Sequence, residues 1–131
     1  MEKKPKLLDR NYVVISCNSE LNFKIVEQVT KGIENIEPII EKNFIKFLSK
    51  IFIKEPKAVI LGHEPVSENV RFAKHIRNNP KFEKLPIICI SNSTQDIKKA
   101  KLYNSKLNID YYSIPININE IIKAIKPLFE T

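Results

Sequence analysis

The residues that could do chemistry in this chain gather at the ends of short apolar runs. Residues 58–65 read AVILGHEP, and the run stops at Gly62, His63 and Glu64. Residues 12–18 read YVVISCN and stop at Cys17 and Asn18, while PIICIS ends at Ser91. A thiol between a strand and a helix can be held as a thiolate and attack an electrophile. Each group also has a plainer reading. His63 reads as a partly exposed loop histidine, although it could bind a ligand or take a phosphoryl group, and Cys17 reads as a buried structural thiol.

Larger constellations are missing from the sequence. His63 and His75 are the only histidines, and with Cys17 and Cys89 they assemble no metal cluster by spacing. No Ser-His-Asp or Cys-His arrangement is legible. With Gly32 and Gly62 as the only glycines, no glycine-rich loop can cradle a phosphate. Enzymatic turnover is the least supported reading, and no metal or other cofactor is expected. Cys17 and Cys89 fall in strands that a third strand separates, beyond the roughly 7 Å that a disulfide tolerates between Cα atoms. They are read as reduced, buried thiols.

The elements that must position these residues alternate. Strands are predicted over 12–17, 58–61 and 86–91, which are rich in β-branched and apolar residues, and over the weaker 36–40 and the short 110–114. Helices are predicted over 21–31, 44–54, 67–79, 95–107 and 118–129, punctuated by Gly32, Pro56 and Pro80. Asn43 can cap the second helix and Asn117 or Asn119 the fifth, and Pro127 should fray the last turn. Pro38 places the second strand at a sheet edge. Five βα units in a row imply an α/β fold, with helices on both faces of a parallel sheet. The flavodoxin-like doubly wound order 2-1-3-4-5 leads, with function at the carboxyl ends of strands one and three. Residues 1–10 read as a short tail and 11–131 as one domain.

In this order and spacing the chain resembles a response-regulator receiver domain, from about residue 11 to residue 129. HIRNNPKFEKLPIICISNS resembles the family's third-helix end, proline-bearing loop and fourth strand, DYYSIP its D-Y-L-S-K-P, and PKAVIL its P-D-L-I-L-L. The resemblance implies a phosphoacceptor aspartate after strand three and an acidic pair after strand one that holds Mg²⁺. It also implies a Ser/Thr after strand four and a lysine after strand five that contact the phosphoryl group. Here the acidic pair falls on Cys17 and Asn18, the phosphoacceptor on Gly62, the hydroxyl on Ser91, the lysine on Ile114 and the aromatic switch residue on Tyr111. Acyl phosphate formation needs a carboxylate nucleophile and a cation held by hard oxygens, and these positions supply neither. Glu64, the one nearby acid, is read as a solvated loop carboxylate, with a reach back to the rim that restores metal binding as the lesser alternative. The expectation is a degenerate receiver that takes no phosphate.

What remains is a binding surface. The resemblance implies docking on helix four, strand five and helix five. On a helical wheel Ile97, Ala100, Tyr103, Asn104 and Leu107 form the core side of helix four. Lys98, Lys99, Lys101 and Lys106 lie opposite, with Leu102 among them. With Tyr111 these residues form a candidate docking surface for a protein partner with an acidic, apolar groove. Helix two is apolar over roughly 160° of its circumference. The excess is assigned to the core, with self-association into a homodimer as the rival.

Composition bounds the alternatives. The net charge of +7 suggests nucleic-acid binding through the lysine face of helix four, yet 19 lysines stand against 3 arginines. Base and bidentate phosphate contacts favour arginine, and a chain with 22 isoleucines, 19 lysines and 13 asparagines matches A/T-rich codon usage. Nucleic-acid binding therefore ranks below a phosphorylation-independent adaptor. No apolar run reaches the roughly 20 residues of a membrane span, and the charged N-terminus lacks the apolar stretch of a secretory signal. A cytoplasmic protein without membrane contact is expected.

Overall fold

The computed structural model describes residues 11–113 and 117–130. Strand β1 (Asn11–Cys17), helix α1 (Glu20–Lys31), β2 (Ile36–Ile40), α2 (Phe44–Lys54) and β3 (Ala58–Gly62) form the first half. Helix α3 (Val66–Arg77), β4 (Ile87–Ser91), α4 (Thr94–Tyr103), β5 (Ile109–Ser113) and α5 (Ile118–Ile125) form the second. All strand pairs are parallel, in the order β2-β1-β3-β4-β5. The five strands and five helices make the doubly wound fold expected from the sequence, and no described helix is long and apolar enough to cross a membrane.

The central strands are continuously apolar because both of their faces are covered. Val13, Ile15, Ala58, Ile60, Ile88 and Ile90 pack with Val26 and Val29 of α1 and with Ile121 and Ile125 of α5. On the opposite face Val14, Val59, Leu61 and Ile87 meet Phe47 and Ile51 of α2 and Phe72, Ala73 and Ile76 of α3. Val66 and Val70 of α3 join Ile97 and Ala100 of α4 over Cys89. Pro38 stands on the edge strand β2, opposite Val13, where a missing N–H costs no ladder bond on the open side.

Helix ends follow their caps. Ser19, Asn43, Ser93 and Asn117 each accept a backbone N–H of the first turn of α1, α2, α4 and α5. Gly32 follows α1 as expected, but at φ −83° it is no left-handed cap. A Cβ there would lie 2.5 Å from Ile122 Cδ1, so this glycine serves close packing of α1 on α5. Pro127 cannot donate to an α-helical carbonyl, and α5 gives way to a 3₁₀ turn over Lys126–Phe129.

The buried side of α1 is Asn22, Val26, Val29 and Thr30, and Leu21 is exposed. Two expectations about helix faces are corrected. Helix α4 stops at Tyr103, with Ser105–Leu107 forming a separate 3₁₀ turn, and Tyr103 is 77% exposed instead of in the core. It sits at the margin of the apolar arc, where it borders the groove between α3 and α4. Ile45 and Phe52, which fall within the apolar arc of α2 whose excess was assigned to the core, are exposed, as is Ile53, which lies outside that arc.

Candidate functional site

The carboxyl ends of β1, β3 and β4 meet at one rim of the sheet, and register places Cys17 directly beside Gly62. Cys17 is buried and its thiol fills the space in front of Gly62. A Cβ at residue 62 would lie 2.6 Å from Cys17 Sγ and 3.2 Å from Asn22 Cβ. Position 62 therefore has no room for a side chain while Cys17 stays in place.

Glu64, two residues further on, turns back over the rim. It is not the solvated loop carboxylate that the sequence suggests. Asn22 Nδ2 donates to its Oε2 at 2.8 Å, the Asn92 backbone N–H donates to Oε2 at 2.9 Å, and Ser91 Oγ donates to Oε1 at 3.0 Å. Asn18 clasps the same residue by its backbone. Its Oδ1 accepts the Glu64 N–H at 2.8 Å and its Nδ2 donates to the Glu64 carbonyl at 3.0 Å. The Asn22 amide also donates to the Gly62 carbonyl at 3.0 Å, so one uncharged group ties β3 to the carboxylate. Ser91 Oγ in turn accepts the Ser93 N–H at the start of α4.

His63 lies beneath this network and is 6% exposed, which corrects its reading as a partly exposed loop residue. Its Nε2 is 2.8 Å from Ser16 Oγ, and its ring packs on Phe72 at a centroid distance of 4.6 Å. Asn69 fixes its backbone, accepting the His63 N–H at 2.8 Å and donating to its carbonyl at 3.0 Å. Burial lowers the imidazole pKa below 6.5, so the ring is neutral at physiological pH. Burial also pushes both thiols up to about 12, against smaller lowering by hydrogen bonds from Gly62 to Cys17 and from Asn69 to Cys89. Both cysteines are unpaired, buried and protonated. Among the described residues no three His, Cys, Asp or Glu side chains come together as a metal site.

The remaining predicted positions divide. Lys98, Lys99, Lys101 and Lys106 are exposed on α4 and its following turn, and Leu102 stands 72% exposed among them. Tyr111 is half-buried against the α3–α4 cluster, and its hydroxyl is buried with no partner among the described residues. Burial raises its pKa to about 12. Ile114 lies outside the described residues.

Sequence reasoning missed Asn22, Asn69 and Ser16. A signal existed for two of them. Asn22 and Asn69 each occupy a helical position among buried apolar residues, Val26 and Val29 in one case and Val66, Val70 and Ala73 in the other. A polar residue on an apolar stripe must find buried partners.

Solved structures with the same architecture cover nearly the whole chain. The chemotaxis response regulator CheY4 of Vibrio cholerae matches 90% of it and 98% of its own length, at TM-score 0.70 and 17% identity. The fold is that of a receiver domain. A sensor protein from Polaromonas matches 92% of this chain and 96% of its own, at 0.71 and 14% identity. A response regulator from Desulfuromonas acetoxidans matches 90% and 95%, at 0.67 and 15% identity. No protein-family profile and no curated protein sequence matches the chain.

Proposed function

We propose that this chain is a phosphorylation-independent, receiver-like signalling adaptor that works by protein contact on α4, β5 and α5. One observation carries the reading. The Glu64 carboxylate is bound by Ser91 and by the Asn92 N–H, the place where a receiver presents its Ser/Thr to a phosphoryl group. A built-in anion thus holds the start of α4 through Ser91 and Ser93, and Asn22 supplies by hydrogen bonding the link to β3 that a receiver makes through Mg²⁺. Gly62, closed off by Cys17, offers no acceptor. The output face is held in one setting with no turnover and no metal, and the exposed Leu102 ringed by lysines is its contact for an acidic, apolar partner.

Two measurements test this. Incubation with acetyl phosphate and Mg²⁺, followed by intact-mass analysis, should leave the chain unmodified. Affinity capture from native lysate should retain a protein partner through nuclease and lose it with Leu102→Glu. A stoichiometric phosphoryl adduct would overturn the first half of the reading, and capture indifferent to Leu102→Glu the second. Recovery of nucleic acid that vanishes with salt would favour the lysine face as a phosphate-backbone contact instead.

A further inference from the structure

A groove runs along α3, between it and α4, and no described element fills it. The part beside α4, about 430 Å³, is floored by Val66, Val70 and Ala100 and walled by Tyr103. A second hollow of about 320 Å³ continues it past the end of α4 to Leu107, and Lys74 borders both. Together they follow the 12 residues of α3, a length of about 18 Å. An extended peptide covers that distance with about five or six residues.

The charge of the groove is one-sided. Arg71, Lys74 and Arg77 lie along its α3 wall and Lys99 on its α4 wall, against Asp96 as the one acid among the lining residues. Both arginines are already engaged. Arg71 donates to Glu68 at 2.9 Å and lies over the rings of Phe44 and Phe72, and Arg77 donates to backbone carbonyls. Lys74 and Lys99 are exposed and form no ion pair among the described residues. Two uncommitted ammonium groups thus stand on opposite walls of an apolar floor. Tyr103 adds a ring that is 77% exposed, an amphipathic contact with few rotatable bonds of the kind that binding surfaces favour.

We propose that this groove binds an acidic peptide segment of a partner protein, in which a bulky apolar residue sits between carboxylates. The apolar side chain lies on Val66, Val70 and Ala100 beside the Tyr103 ring, and the flanking carboxylates take Lys74 and Lys99. Other occupants match less well. The first ten residues of this chain, MEKKPKLLDR, carry more lysine and arginine than acid, and a second copy carries +7, so both bring the wrong sign. A nucleic-acid backbone would meet the two lysines and leave the apolar floor unused, and the arginines that best hold phosphate are occupied. The site is separate from the Leu102 contact, because Leu102 does not line the groove, and it does not depend on the part played by Glu64.

Fluorescence anisotropy on the full chain decides the matter, with a labelled peptide of about eight residues that carries Leu-Phe between Asp and Glu. Binding should saturate with a dissociation constant between about 10 and about 300 µM, and it should weaken in higher salt. Lys74→Glu with Lys99→Glu should weaken it by at least about tenfold, with an unchanged far-UV spectrum because both side chains are exposed. Tyr103→Ala should weaken it about fivefold, whereas Leu102→Ala should leave it unchanged. A peptide with Ser-Ser in place of Leu-Phe should not bind. Equal binding of that peptide would reduce the groove to a diffuse positive surface and overturn the inference. So would a failure to saturate, an affinity indifferent to both lysine substitutions, or loss of binding with Leu102→Ala alone. Tighter binding of an oligo-dT strand, lost with the same lysines, would overturn it in favour of nucleic acid. Phosphoryl incorporation and capture through Leu102 are read in separate experiments, so the groove and the adaptor contact can fail independently.

Discussion

The Cys17 thiol occupies the space that a side chain at residue 62 would need, with Sγ 2.6 Å from where its Cβ would lie. Asn22 Cβ closes the other side at 3.2 Å. The two residues are opposed because they are register partners in the β1–β3 pair. The absence of a side chain at 62 and the thiol at 17 are therefore one steric arrangement, and placing an aspartate at 62 alone would have to displace a buried strand residue.

This makes the pair energetically coupled. Gly62→Ala should cost about 1–3 kcal/mol by overpacking, measured as a fall in the urea midpoint. In a Cys17→Ala background the same change should cost distinctly less, with a coupling energy above about 0.5 kcal/mol. Additive effects would mean that the strand ends relax apart and that Cys17 does not exclude a side chain.

Glu64 should hold the start of α4. Glu64→Ala leaves the Asn22 amide, the Ser91 hydroxyl and the Asn92 N–H without their acceptor. Because the rim is partly open to water, the loss should be near the lower end of about 1–3 kcal/mol. Glu64→Gln, which keeps one acceptor oxygen, should lose less. Amide hydrogen exchange should quicken at residues 92–97 in Glu64→Ala and stay unchanged in β1. Uniform exchange across the chain would show that the carboxylate stabilises the fold without a local hold on α4.

Arg77 should be the costliest single surface-side change. Its guanidinium donates to the carbonyls of Leu107 at 2.8 Å, Phe82 at 2.8 Å, Leu85 at 2.7 Å and Asn108 at 3.2 Å. One fork thus closes the loop before β4 and the turn before β5 onto the end of α3. Arg77→Ala should destabilise by about 2–3 kcal/mol, since charged hydrogen bonds contribute more than neutral ones. Arg77→Lys should recover only a minor part, because an ammonium cannot span divergent acceptors. Equal stability of the lysine variant would reduce the site to a simple point charge.

The architecture was legible because two-sided burial writes itself as continuous apolar runs, and prolines and asparagines mark where helices begin and stop. Pro38 at the edge, Asn43 as a cap and Pro127 as a terminator all act as local chemistry dictates. The site was not legible in the same way. Glu64 meets partners 27, 28 and 42 residues away, and nothing in the local sequence His-Glu-Pro announces them. His63 is buried by Ser16 and Phe72, one on another strand and one on the following helix. Helical periodicity placed Tyr103 inside because a wheel has no end, whereas α4 stops there. It likewise could not tell how much of the apolar arc of α2 the sheet would cover.

The thiols should be inert until the chain unfolds. Burial raises both Cys17 and Cys89 to about 12, so neither is a thiolate near neutral pH. A disulfide-exchange reagent at mildly alkaline pH should titrate no thiol in the native chain and two in urea. Fast reaction of one thiol in the native state would mean that the Cys17–Gly62 rim opens readily.

His63 should make stability depend on pH. Burial holds its pKa below 6.5, with Glu68 opposing and Arg71 reinforcing that shift more weakly. Above 6.5 the ring is neutral in both folded and unfolded chains, and the full stability is present. As pH falls through 6.5 the unfolded chain takes up the proton first, and stability declines by up to about 1.4 kcal/mol per pH unit. Once pH falls below the folded value both states are protonated and this group's contribution stops changing. His63→Gln keeps a polar group near Ser16 and leaves the Asn69 bonds to the backbone in place, so it should flatten the dependence of the urea midpoint between about pH 8 and about pH 5. An unchanged slope in that variant would move the proton uptake to another residue and remove the reason for a buried, neutral imidazole beneath Glu64.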